Sequence, residues 1–137
     1  ASELGIAVGH AGVFTTAEDF LKVLTSLIND KYMILNKESI ERMLEHDELY
    51  ALRPYNYSGT RYRNPIPERD EIPIKASDNS IIFSGFTGPI FLIDFERKII
   101  VLVMTNSCHN SSKDRKERYI LSQKMIEELY DDVLQNR

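Results

Sequence analysis

Cys108 is the only cysteine in this 137-residue chain, which excludes an internal disulfide and a thiolate metal cluster and leaves the redox compartment undetermined. Cys108-His109 has neither the spacing nor the additional ligands of a metal site, so it reads as a satisfied surface pair. An excess of positive charge is missing too. The 17 Lys and Arg are outnumbered by 21 Asp and Glu, giving a net charge of −4, so no general electrostatic case for nucleic acid exists. No apolar run approaches the roughly 18–20 residues of a membrane span. No signal peptide opens the sequence, but its first residues read like the interior of something longer, so location stays open. Also absent are GxSxG, a phosphate loop, HExxH, the paired glycines of a Rossmann turn and any Ser-x-x-Lys. No cofactor and no metal are expected.

What the sequence does contain is centred on residues 80–106, SIIFSGFTGPIFLIDFERKIIVLVMTN. Three apolar runs, Ile81–Phe83, Ile90–Ile93 and Ile99–Met104, are separated by Gly85, Gly88 and Pro89 and by the turn-like Asp94-Phe95-Glu96-Arg97. β-Branched and aromatic enrichment between turn residues predicts an antiparallel three-stranded meander of two hairpins. Pro89 lacks an amide hydrogen and suits the first residue of a strand, not its middle. The third run is apolar without alternation, as in a strand covered on both faces.

The remainder reads mainly as scaffold. Thr15-Thr16-Ala17-Glu18 predicts a capping box, followed by a helix with Phe20, Leu24, Leu27 and Ile28 on one face, widened by Leu21 and Val23, and ending near Asn29-Asp30. Asn36 predicts the cap of a second helix, with Leu35 stapled to Ile40 and a narrow stripe of Ile40, Met43 and Leu44. A final helix, capped by Ser111, Ser112 or Asp114, carries Ile126, Leu129, Tyr130 and Val133 at helical spacing and is expected along one sheet face. Residues 47–79 form one long irregular loop. Pro54, Pro65, Pro67 and Pro73 break its periodicity, and Tyr50, Tyr55, Tyr57 and Tyr62 are scattered among charges. The loop is either a functional lid or a segment whose tyrosines pack on its own base. In the glycine-rich GHAGVF near the N-terminus, His10 fits a structural imidazole bonded to a backbone carbonyl; a catalytic base is the other reading.

Ser77-Asp78-Asn79 and Tyr62-Arg63-Asn64 spell SDN and YxN, but both lie too close before Phe83-Ser84-Gly85 and are taken as chance matches. GHAGVFTTAEDF at residues 9–20, then FSGFTGPIFLIDFERKIIVLVMTN at 83–106 with His109 nearby, are more specific. Together they resemble the C-terminal part of the serine β-lactamase and penicillin-binding-protein-like family. The branch they resemble is that of the class C-like esterases and D-alanyl-D-alanine peptidases, where the first segment typically reads GHAGLFST-A-DL. The resemblance touches both ends of the chain and skips 47–79.

That resemblance implies one partial α+β domain over residues 1–137, part of a β-lactamase/transpeptidase-like fold. It would carry the meander, a C-terminal helix packed on it and two N-terminal helices. The Ser and Lys of the nucleophile helix would lie upstream, so this chain alone is expected to be inactive. The implied activity of the full-length protein is acyl-enzyme hydrolysis of a β-lactam, a D-Ala peptide or an ester. Phe83-Ser84-Gly85 would occupy the Lys/His-Thr/Ser-Gly motif. Ser84 would then offer its hydroxyl to substrate or the proton relay, Gly85 would let the acyl chain lie against the strand, and the Phe86 amide would be an oxyanion donor. Phe83 departs from the pattern by removing the cationic or imidazole group, which fits an esterase-like or impaired member. The alternative is a non-catalytic binding or regulatory module that keeps the fold. Either way a sheet edge and one apolar sheet face are expected to be uncovered, with the N-terminal half of the domain, or self-association, supplying the cover. Relatives implied by the resemblance are exported to the cell envelope or are cytoplasmic esterases.

Overall fold

The computed structural model describes residue 5 and residues 12–29, 34–44, 75–85, 87–106 and 115–137. His10, most of the 47–79 loop, Phe86, Cys108-His109 and the expected caps at 111–114 lie outside these residues. Helices α1 (Ala17–Ile28) and α2 (Lys37–Leu44) precede strands β1 (Ser80–Ser84), β2 (Ile90–Asp94) and β3 (Ile99–Val103), and helix α3 (Arg115–Gln135) follows. The sheet is an antiparallel meander in the order β1-β2-β3, as the apolar runs predict.

Alternation along the strands divides the sheet into two faces. Ile82, Ile90, Leu92, Ile99, Val101 and Val103 point to one face and form a buried cluster with Ile126 and Tyr130 of α3. Leu92 sits at its centre, opposite Ile82 on one side and Val101 on the other. The second face presents Ile81, Phe83, Phe91, Ile93, Ile100 and Leu102. It is not bare, contrary to the expectation. Helix α1 lies against β3, the Phe20 ring meets Phe91 edge-on with centroids 5.6 Å apart, and Ile93 is completely buried. Within the chain, α1 already supplies much of the cover that the sequence pattern assigns to a partner.

Local chemistry sets the element ends. Thr16, in extended backbone, caps α1 by accepting the Asp19 amide at 3.1 Å, and its hydroxyl meets Asp19 Oδ2 at 3.1 Å. The predicted box is therefore shifted by one residue: Asp19, not Glu18, holds the third position, and Glu18 pairs with Lys22 instead. Leu24 is the buried residue of this helix, while Leu21 and Val23 are exposed, so the stripe is narrower than predicted. Asn36 Oδ1 accepts the Ser39 amide at 2.8 Å at the start of α2, as predicted. In α3 the buried row is Ser122, Ile126 and Tyr130, with Leu134 packed against the core; Leu129 and Val133 are only partly covered, each 40 % exposed.

Pro89 stands immediately before β2, where its missing amide hydrogen costs nothing. In the connection from β1, Gly85 donates to the Pro89 carbonyl (2.7 Å), and Gly88, at φ 108°, donates to the Gly85 carbonyl (3.0 Å). A Cβ on Gly85 would stand 2.9 Å from Pro89 Cγ, too close for the ring to stay put. Gly85→Ala is therefore expected to cost about 1–3 kcal/mol by overpacking, read as a lower urea midpoint with an unchanged m-value.

Candidate functional site

Two side-chain constellations stand at opposite ends of β2. The first surrounds the start of β2 and the end of β1. Ser84 is 4 % exposed and pairs with Ile90 on the face that α3 covers. Phe83, one residue earlier, turns to the opposite face, is 44 % exposed and stacks on Phe91 at 5.8 Å between centroids. Gly85 is half-buried against the Pro89 ring, and its amide is committed to the Pro89 carbonyl. Of the triplet 83–85, the groups nearest solvent are thus the Phe83 ring and the backbone around Gly85. Phe20, Phe91 and Phe83 form an aromatic row across that face.

The second constellation was not foreseen from sequence. Asp94 ends β2, is completely buried, and gathers five donors. Its Oδ1 accepts the Ser77 hydroxyl at 2.6 Å and the Arg97 amide at 2.8 Å. Its Oδ2 accepts the Ser77 amide at 2.9 Å, the Tyr130 hydroxyl at 2.7 Å and Arg97 Nη1 at 3.1 Å. The Ser80 hydroxyl lies 3.4 Å from that of Ser77. One carboxylate thus joins the segment before β1, the β2–β3 turn and α3. Two further contacts tighten the same end of α3: Lys75 pairs with Asp131, and Arg137 donates to the Arg97 carbonyl and, at 3.3 Å, to that of Lys98. The turn Phe95–Lys98 places Lys98 at φ 54°, a left-handed conformation held by the pinned Arg97 amide.

The electrostatics follow from this geometry. Burial by itself pushes the Asp94 pKa up, but the Ser77 hydroxyl, the Arg97 and Ser77 amides and the Tyr130 phenol together outweigh it and bring it down to about 2. Burial, followed by the hydrogen bond to Asp94, pushes the Tyr130 phenol well above its ordinary range. A carboxylate offers about four lone-pair sites, and five donors saturate it. Asp94 has no capacity left to take a proton from a substrate, and Tyr130 is held neutral. The cluster is a fastening rather than a catalytic pair. Ser77, the serine of the SDN match, spends both its hydroxyl and its amide on that fastening.

Among the described residues no three or more His, Cys, Asp or Glu gather as a metal ion would require, and no helix is long and apolar enough to cross a membrane. The chain matches no family model, no curated protein and no solved structure.

Proposed function

We propose that this chain is the C-terminal portion of a serine β-lactamase-like hydrolase, in which the β1–β2 hairpin lines one wall of an acyl-transfer cleft. The nucleophile would be supplied by sequence upstream. The observation that carries the reading is the build of the hairpin end: an outer strand of the sheet runs into a glycine turn, with Gly85 against Pro89 and the half-exposed Phe83 ring beside it. An acyl group lying there would meet backbone and an aromatic surface. Recognition would rest on the Phe83 ring and on the Phe86 amide as the expected oxyanion donor, more than on the Gly85 amide and carbonyl, which are spent within the turn, or on the buried Ser84 hydroxyl. An aromatic in place of a cation favours a neutral ester or amide over a carboxylate-bearing substrate.

A second reading, a binding or regulatory module that keeps the scaffold without the chemistry, is favoured by the burial of Ser84. Acylation separates the two. A full-length protein carrying Ser-x-x-Lys and then Tyr-x-Asn upstream is expected to form a covalent adduct with a fluorophosphonate or a fluorescent penicillin, while the 137-residue chain forms none. A full-length protein that folds and takes up neither reagent would establish the module.

A further inference from the structure

The second sheet face carries a row that runs across the strands. Phe83 of β1 is paired with Phe91 of β2, and Phe91 with Leu102 of β3. Exposure is graded along it: Phe83 is 44 % exposed, while Phe91 and Leu102 are half-buried. The cause is α1, which lies against β3. Its first large apolar side chain, Phe20, is itself half-buried and meets Phe91 edge-on, with the centroids 5.6 Å apart. Leu24, one turn along the same helix face, is buried and holds α1 in place. The row is thus open at its β1 end and closed at its α1 end.

Every side chain of the row is apolar, so it stabilises an occupant by burying apolar surface and offers nothing to a charged one. The Phe83 and Phe91 rings are stacked, 5.8 Å apart and inclined by 30°, and present one apolar floor beside the hairpin end at Gly85. A group held with its carbonyl at that end and its tail along the row crosses from β1 to β2 and then meets Phe20. Neighbouring strands are about 4.8 Å apart, which leaves room for an acyl tail of roughly four carbons.

We propose, resting on the acyl-transfer reading above, that Phe20 is the chain-length stop of this cleft wall and selects esters of short, uncharged acyl groups over those of long ones. Phe20 meets the far end of the tail and not the reacting carbonyl, so it determines specificity without taking part in the chemistry. One methylene group more or less in an apolar pocket changes discrimination by about 10–200-fold, so a single ring at the closed end is enough to set the preferred length.

The test is kcat/KM of the full-length protein for the p-nitrophenyl esters of acetate, butyrate and octanoate. The parent is expected to favour butyrate over octanoate by at least about tenfold. Phe20→Leu, which removes the ring and keeps an apolar helix face, should lower that ratio at least about fivefold by raising the octanoate rate. Phe20→Trp, with a larger ring, should raise the ratio, so either variant that folds decides the matter. Leu21→Ala, at the exposed neighbouring position, should leave it unchanged. A purely structural role for Phe20 lowers all the rates together. Rates that fall in parallel, or a parent that prefers octanoate, overturn the proposal and leave acyl transfer standing. A full-length protein that takes up no fluorophosphonate and turns over none of the esters overturns the acyl-transfer reading, and the length stop with it.

Discussion

Replacing Asp94 by alanine is expected to cost about 3–5 kcal/mol, because it strands buried donors that nothing else can satisfy. Ser77 loses acceptors for both its amide and its hydroxyl, and Tyr130 loses the acceptor for its phenol. Arg97 matters less, since its side chain is partly in water. Asparagine does not rescue the site. Each carboxylate oxygen accepts a backbone amide, Arg97 on Oδ1 and Ser77 on Oδ2, so either orientation of a side-chain amide points its NH₂ at a fixed N–H. Asp94→Asn is therefore expected to lose about 2–3 kcal/mol. Urea unfolding of the three proteins at neutral pH gives both numbers.

The same carboxylate sets the acid side of the stability profile. Its folded pKa of about 2 lies below the ordinary 3.8, so the native state binds the proton less tightly than the unfolded chain. The contribution, on the order of 2 kcal/mol, is complete above about pH 5 and is lost as pH falls toward 2. The Asp94→Asn variant should lack this slope. Tyr130 acts at the other extreme: its folded pKa is raised above 10.0, so the native state holds its proton more tightly, and stability falls as pH rises above about 10.

The second large effect distinguishes the two rows of α3. Ile126 is completely buried against the sheet, and Ile126→Ala is expected to cost about 2–5 kcal/mol through lost transfer energy and the cavity left behind. Leu129, three positions on, is 40 % exposed on the outer row, and Leu129→Ala should cost less, about 1 kcal/mol. The contrast reads directly as two urea midpoints. Equal losses would mean that α3 is rotated about its axis from the orientation described above.

That pair also shows where the sequence was legible and where it was not. The strands, Pro89 before β2, the turn beginning at Asp94 and the Asn36 cap are set within a few residues of themselves, so local chemistry is enough to place them. α3 was recognisable as a helix, but Leu129 and Val133 belong to a second apolar row beside the first. Periodicity does not say which of two neighbouring rows faces the sheet. The α1 cap shifted by one because Thr15 and Thr16 both qualify, and only the backbone decides between them. Asp94 was visible as a turn residue and no more. Its partners Ser77 and Tyr130 lie 17 and 36 positions away, and only the docking of α3 over the hairpin brings them together. A polar residue at the rim of an apolar strand, with one tyrosine on the facing helix stripe, is the signal that was there to find.

For the candidate cleft, alternation alone puts Phe83 and Ser84 on opposite faces. Which of the two is covered depends on where α1 and α3 pack. The same packing explains the sheet face expected to be bare: Phe20 and Leu24 form an apolar stripe, but nothing local says that it returns to Phe91.

The claim that Asp94 is an ionised fastener joining hairpin and C-terminal helix is tested most directly by following its side-chain carboxyl ¹³C resonance against pH. The predicted result is a midpoint near 2, coinciding with loss of the Tyr130 contact and of tertiary structure. A midpoint near the ordinary 3.8 with the fold intact would contradict it.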